Sequence, residues 1–178
     1  MHKFCPIPWV FQAVRNNGDV RVCCQANQSK SQGILRKPSG VAYNVAVDSL
    51  DDAWNADLIR EVRRSMINNE PHEMCVRCDR EEEAGNRSRR QYENETWNFS
   101  LDDAISCTSD DGHVDINPFY YDLRFGNLCN LKCRMCGPTD SSMWYQDFIK
   151  MGINQFKDSH GIVTIDGKST VNRDYDWI

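Results

Sequence analysis

The hydrophobic pattern opens with an alternation that predicts a β-hairpin over residues 9–24. Trp9-Val10-Phe11-Gln12-Ala13-Val14 leads into Asn16-Asn17-Gly18-Asp19, and Val20-Arg21-Val22-Cys23 follows. Asn-Gly tolerates positive φ at both central positions of a tight turn, so Asn17-Gly18 predicts a two-residue connection. Residues 25–40 are rich in Ser, Gln, Gly and Pro and read as a loop. From Ser49 to about Asn69 the period becomes helical. Ser49 and Asp52 have capping-box spacing, Trp54, Leu58, Ile59, Val62 and Met66 mark one face, and Pro71 lies just beyond the end. That stripe, Trp54 included, reads as core. Residues 75–93 are dense in charge of both signs and are expected to be helical at their start.

Between Asn94 and Asp122 the pattern fades. Glu95, Asp102, Asp103, Asp110, Asp111, Asp115 and Asp122 occur there without one Lys or Arg. Residues 94–117 are therefore expected to form a mobile or loosely packed acidic linker. A second ordered unit is expected from Pro118. Phe119, Tyr121, Leu123 and Phe125 alternate with Tyr120, Asp122 and Arg124, which is strand periodicity. A cysteine-rich loop runs from Gly126 to Gly137. Thr139 to Met151 then reads as a helix closed by Gly152, and Ile162–Ile165 as a short strand. The pattern thus divides the chain into residues 1–93, the linker 94–117 and residues 118–178.

Length and charge narrow the function classes. A chain of 178 residues is one ordinary domain or two small ones. Its net charge of −5 argues against non-specific binding to nucleic acid or anionic lipid. No run of about 18 apolar residues predicts a membrane-spanning helix. Pro6 and Pro8 break the apolar start, so it does not read as a signal peptide. The nine cysteines change the picture most. An odd number cannot all pair internally, and the expected compartment is the reducing cytoplasm, where clustered cysteines are metal ligands or catalytic thiols. His113 and His160 are isolated and read as surface residues, and Arg87, Arg89 and Arg90 read as a solvated turn. No phosphate-binding glycine loop, nucleophile elbow or zinc-protease motif is present.

The densest cysteine group is Cys129-Asn-Leu-Lys-Cys133-Arg-Met-Cys136. Thiolates are soft ligands that select iron–sulfur clusters, zinc or copper(I). An ordinary cubane cluster takes four cysteines. Three close thiolates would leave one iron open to a substrate. The second group is dispersed: Cys5, then Gly18 and Cys23, then Cys75-Val-Arg-Cys78. Four cysteines suit a structural zinc ion equally well, so a non-catalytic zinc-stabilised binding module is the alternative reading of both groups. A two-residue turn at Asn17-Gly18 sets Cys23 opposite Gln12. Cys5 then lies seven residues back, roughly 23 Å if extended, so residues 5–8 must curl, which Pro6 and Pro8 permit. Cys24 reads as a small buried residue and Cys107 as a plain thiol.

Cys129-x3-Cys133-x2-Cys136, with the flanks Leu-Arg-Phe-Gly-Asn-Leu-Cys and Arg-Met-Cys-Gly-Pro, resembles the cluster motif of the radical S-adenosylmethionine (radical SAM) superfamily. Cys5, Gly18-x4-Cys23 and Cys75-x2-Cys78 resemble the SPASM/Twitch auxiliary-cluster domains of those enzymes, as does Glu81-Glu82-Glu83-Ala84-Gly85-Asn86-Arg87-Ser88. No further cysteine follows Cys78 closely and position 84 is Ala, which fits the one-cluster Twitch form. The resemblance implies an α/β architecture: an α+β Twitch-like module over 1–93, then the first β/α units of a partial TIM-type barrel over 118–178. It implies a [4Fe–4S] cluster on Cys129, Cys133 and Cys136, an auxiliary [4Fe–4S] cluster on Cys5, Cys23, Cys75 and Cys78, and S-adenosylmethionine bound at the first, with the backbone of Met135 at the adenine.

The activity so implied is reductive cleavage of S-adenosylmethionine to a 5′-deoxyadenosyl radical, for hydrogen abstraction from a substrate such as a peptide. The electron would come from a donor such as flavodoxin or ferredoxin. No other residue is singled out as catalytic. Two departures stand out. The auxiliary module comes first, whereas in the family it usually follows the barrel. A partial barrel also needs on the order of 200 residues, by comparison with a complete one, and only 61 run from Pro118 to Ile178. The chain is therefore expected to be the front part of a longer enzyme, or a truncated gene product, inactive by itself.

Overall fold

The computed structural model describes residues 2–26, 31–124, 126–138, 140–151, 162–165 and 168–171. The chain divides into two units, Met1–Val14 with Asp19–Leu123, and Arg15–Gly18 with Arg124–Ile178.

In the first unit, Pro6 precedes a single helical turn, α1 (Ile7–Val10), and the amides of Trp9 and Val10 both donate to its carbonyl. Pro8 fits there because first-turn amides have no intrahelical acceptor. The expected curl of residues 5–8 is this turn, and it removes Trp9 and Val10 from the strand, which starts later as β1 (Phe11–Val14). β2 (Val20–Arg21) pairs antiparallel with β1, Ala13 opposite Arg21 and Val14 opposite Val20. This register is one residue away from the one a two-residue Asn17-Gly18 turn would impose. Residues 15–19 form the connection instead, with the Gly18 N–H donating to Arg15 O at 2.8 Å and Gly18 at φ 86°. The predicted loop continues the sheet's neighbourhood: the amide of Leu35 donates to Val20 O, the amide of Val22 to Gly33 O, and Ile34 and Leu35 are buried.

β3 (Tyr120–Leu123) pairs in parallel with the other edge of β1, Phe11 opposite Tyr120, giving the order β2-β1-β3. The strand expected to begin a second domain therefore completes the first unit's sheet. Its faces are also reversed relative to the sequence pattern. Tyr120 packs its ring 4.8 Å from Phe11 and 5.1 Å from Trp97, while Phe119, Tyr121 and Leu123 are exposed. An alternation that has aromatic residues on both faces does not say which one the core takes.

The single helix expected over 49–69 is two. α2 (Leu50–Trp54) starts at the Ser49/Asp52 capping box, and α3 (Asp57–Ile67) follows after Asn55 and Ala56 leave the helical region. Trp54, Ile59, Val62 and Met66 are buried as expected. Arg63 joins them. Its guanidinium donates to Pro8 O, Trp54 O, Gly112 O and Asn55 Oδ1 and stacks 4.6 Å from the Trp54 ring. A 3₁₀ turn (Glu73–Cys75) leads into α4 (Val76–Glu83), and α5 (Arg89–Thr96) and α6 (Leu101–Cys107) follow. Both later helices open with capping boxes, Ser88/Gln91 and Ser100/Asp103.

The acidic segment 94–117 is thus no loose tether. Ala104 and Val114 belong to the core, Trp9 Nε1 donates to Thr108 Oγ1, and Trp54 Nε1 donates to Ile116 O. Gly112, at φ 86°, lies so close to α3 that a Cβ there would stand 2.3 Å from Arg60 O. Its acids occupy mainly the solvent side, while a few apolar positions do the packing.

In the second unit the loop from Arg124 leads to a 3₁₀ turn (Ser142–Trp144), α7 (Tyr145–Lys150) and an antiparallel pair, β4 (Ile162–Ile165) and β5 (Lys168–Val171). Within the stretch expected to be helical, the 3₁₀ turn starts at Ser142, with Ser141 Oγ accepting from Met143 N. The strand expected at 162–165 is present, with an antiparallel partner. No parallel β/α repeat of a barrel occurs among the described residues. Phe125, Thr139, Gly152, His160 and the closing Tyr175–Ile178 lie outside them. Among the described residues no helix is long and apolar enough to cross a membrane.

Candidate functional site

The four dispersed cysteines meet. Cys5 precedes α1, Cys23 follows β2, and Cys75 and Cys78 bracket the first turn of α4, where a spacing of three puts both on one face. All four line one small cavity of about 30 Å³, together with the apolar side chains of Ile7, Val22, Val62, Met66 and Met74. Cys24 is not part of this lining. The side chains stand round a cavity wall, and among the described residues no three His, Cys, Asp or Glu side chains are drawn together as ligands of one metal ion. All nine cysteines are free thiols.

Burial raises these thiols. It pushes Cys5 far up, Cys75 to about 11, and Cys78 above its ordinary value. Cys23 is raised by its hydrogen bond with Cys24 and by burial. Cys24 is lowered, first by that same bond and then, against its own burial, by Arg89 and Arg21. Polar groups beside the four cavity sulfurs pull the other way. The Gln25 amide donates to Cys23 Sγ at 3.4 Å, the backbone of Ile7 lowers Cys5, and Arg90 lowers Cys75 and Cys78, each against the larger effect of burial. Four sulfurs with polar groups beside them in a largely apolar wall are a donor set suited to an iron–sulfur cluster, whose anionic sulfurs need such neighbours.

Arg90 lies at the start of α5 and is 3% exposed. Its guanidinium donates to Asp79 Oδ1 at 2.7 Å and to Glu82 Oε2 at 3.2 Å. Lys3 Nζ reaches the same Asp79 oxygen at 2.8 Å, and Ser88 Oγ donates to Glu82 Oε1 at 2.6 Å. Burial opposes ionisation of Asp79, but the Lys3 and Arg90 hydrogen bonds win and hold its carboxyl below the usual range. The sequence pattern placed Arg87, Arg89 and Arg90 together on a solvated turn. That holds for Arg87, which is exposed and pairs with Glu95. It fails for Arg89, which pairs with the buried Glu93, and for Arg90. The Ser88-x-x-Gln91 capping box was the available signal: it fixes Arg90 in a first helical turn, where side chains point back past the cap.

Cys129, Cys133 and Cys136 lie on a loop of the second unit. Its ends are fastened: buried Asn127 donates through Nδ2 to Pro138 O at 2.7 Å and to the Tyr145 hydroxyl, and Ser141 Oγ donates to Leu131 O at 2.6 Å. Lys132 pairs with Asp147 of α7. The middle of the loop is open. Leu131 to Met135 are exposed, Met135 at 98%. The Cys136 amide donates to Cys133 O at 3.0 Å, and partial burial followed by the neighbouring Cys133 thiol pushes Cys136 up. Elsewhere, the Cys107 thiol donates to Ala104 O at 3.6 Å, and His113 is at the surface beside Asp115, as expected of both.

No curated protein and no solved structure matches the chain. A family model does. SPASM, described as an iron–sulfur cluster-binding domain, matches residues 5–79, a segment that begins at Cys5 and takes in Cys23, Cys75 and Cys78. The segment of the first unit that carries these four cysteines is thus similar to an iron–sulfur cluster-binding domain.

Proposed function

We propose that this chain is part of a radical SAM enzyme and holds two iron–sulfur clusters of unequal completeness. The observation that carries the reading is the convergence of Cys5, Cys23, Cys75 and Cys78 on one largely apolar cavity inside the matched segment. These four would cap every iron of an auxiliary [4Fe–4S] cluster. The next cysteine is Cys107, which does not line the cavity, and this favours the one-cluster form of the domain. Cys129, Cys133 and Cys136 would hold the second cluster and leave one coordination position for the amino and carboxylate groups of S-adenosylmethionine. The exposed stretch from Leu131 to Met135 gives that cofactor room to approach, with the Met135 backbone beside the adenine. When bound, this pair of clusters supplies one-electron transfer and reductive cleavage of the sulfonium. The chain's own residues keep the auxiliary site dry, set polar groups beside its sulfurs, and fasten the open loop through Asn127 and Ser141. A flavodoxin- or ferredoxin-type donor and a substrate such as a peptide are the partners this reading implies.

Anaerobic reconstitution tests it. The chain should take up about eight irons. Cys78→Ala and Cys133→Ala should each remove about half of them. S-adenosylmethionine should perturb the spectrum of the reduced protein lacking Cys5, Cys23, Cys75 and Cys78, and leave that of the protein lacking Cys129, Cys133 and Cys136 unchanged. A colourless protein carrying zinc at both sites would overturn the reading.

A further inference from the structure

We infer that Arg90 sets the reduction potential of the amino-terminal iron–sulfur site, as a buried guanidinium in the lining of the cavity that the four cysteines share. The inference rests on the auxiliary-cluster reading above and goes beyond it, since neither the matched segment, which ends at Asp79, nor the cysteine spacing includes this residue.

Four observations converge on Arg90. It lines the same cavity as Cys5, Cys23, Cys75 and Cys78. Its charge offsets the burial that raises the thiols of Cys75 and Cys78. It is the one cation that lines this cavity among the described residues. Its side chain is locked by Asp79 and Glu82, so it cannot swing away to solvent.

The electrostatics then have a definite sign. Four thiolates around a [4Fe–4S] core make an anion. Reduction adds one electron from an external low-potential donor, with no bond made or broken and no proton moved. The added negative charge is stabilised by a neighbouring cation and by N–H donors to sulfur, which raise the potential. Lys3 and Arg90 carry two positive charges, Asp79 and Glu82 two negative ones. Removing the charge of Arg90 leaves two carboxylates facing one ammonium beside the sulfurs, which favours the oxidised form. Removing the charge of Glu82 does the opposite. A residue that only props up the fold would not produce opposite signs at its two ends.

The test uses the full chain with Cys129, Cys133 and Cys136 replaced by Ala, so that one cluster is read. It is reconstituted anaerobically and titrated with dithionite and mediators, followed by visible absorption and electron paramagnetic resonance. Arg90→Gln should shift the reduced-to-oxidised ratio at fixed potential at least tenfold toward oxidised, about 59 mV for one electron. Arg90→Lys should stay within about threefold of the parent, because it keeps the charge. Glu82→Gln should shift the ratio toward reduced. If Arg90→Gln does not retain iron, the Arg90→Lys and Glu82→Gln pair decides the matter. Midpoints of Arg90→Gln and Glu82→Gln that coincide with the parent's, or that move in the same direction, overturn the inference. A parent that takes up no iron overturns the auxiliary-cluster reading instead.

Discussion

The two cysteine groups differ in what the fold must do before each can bind anything. Cys5, Cys23, Cys75 and Cys78 come from three separate stretches, and only the packing of α1, β2 and α4 round one cavity unites them. Cys5 and Cys78 are buried, and the thiols pay a desolvation cost that ligation relieves. Cys129, Cys133 and Cys136 share one loop, with Cys133 exposed and the sequence itself keeping them near one another. The first site is a product of tertiary structure and the second of local chain. Metal affinity at the first would therefore be folding free energy, while at the second it would be mostly loop ordering.

The sharpest way to break that comparison is to delete one ligand from each. Cys78→Ala should remove about half of the iron and lower the melting temperature of the first unit by about 5–10 °C. Cys133→Ala should remove the other half and leave that transition in place. Calorimetry of the two reconstituted variants decides it, and equal thermal losses would mean that the sites are coupled to folding in the same way.

A backbone substitution should separate the regions next. Gly112→Ala forces a Cβ into Arg60 O at a positive φ, costing roughly 2–4 kcal/mol. It should loosen the acidic segment from α3 and weaken iron retention at the cavity, while the iron held by the triad stays. Urea denaturation with iron analysis checks both halves.

Thiol reactivity gives a smaller contrast. In the metal-free chain, iodoacetamide should modify Cys133 at least about tenfold faster than Cys5 or Cys78, which are shielded and pushed toward the protonated form. Mass spectrometry after timed alkylation reads the order, and a faster Cys5 would contradict the cavity.

The smallest expected effect is a pH dependence. His72 caps the turn before Cys75 by accepting the Met74 amide at Nδ1, 3.2 Å away, and burial lowers its pKa from 6.5. A base depressed in the folded state binds its proton more readily when unfolded. Its cap is intact above pH 6.5, and stability falls as the pH drops from there toward the lowered value. His72 is half-buried and solvent screens it, so a fall of about 1–2 °C in melting temperature is expected between pH 7 and pH 5.5. His72→Asn keeps a cap without a titration and should flatten that profile relative to the parent.

The sites were legible in the sequence to different depths. Cysteine spacing singled out the dispersed group that the fold brings to one cavity, and the Ser49/Asp52 capping box and the Trp54 stripe marked the core helices, because these signals are short-range in the chain. What sequence periodicity could not settle was which distant pieces meet. Tyr120 and Tyr121 offer an aromatic to either face of β3, so only packing on Phe11 decides. The hairpin register turned on how many residues the turn consumes, and Gly18 closes on Arg15 rather than pairing symmetrically with Asn17. The acidic segment concealed Ala104 and Val114 because burial there takes few residues. Arg90 was misread for a related reason: a run of arginines looks solvated until a helix start aims one of them inward.

The parallel pairing of β1 with β3 has a consequence for biosynthesis. Phe11 cannot meet Tyr120 until the intervening chain has been made. At 5–20 residues per second, those intervening residues take on the order of ten seconds to emerge from the ribosome. Over that interval β1 presents an open edge, and for the first part of it Cys5 and Cys23 wait for Cys75 and Cys78. The four cysteines of the first site are thus all made before the strand that completes the sheet beside them, and until then their thiols are open to chaperones and to any thiol-seeking metal.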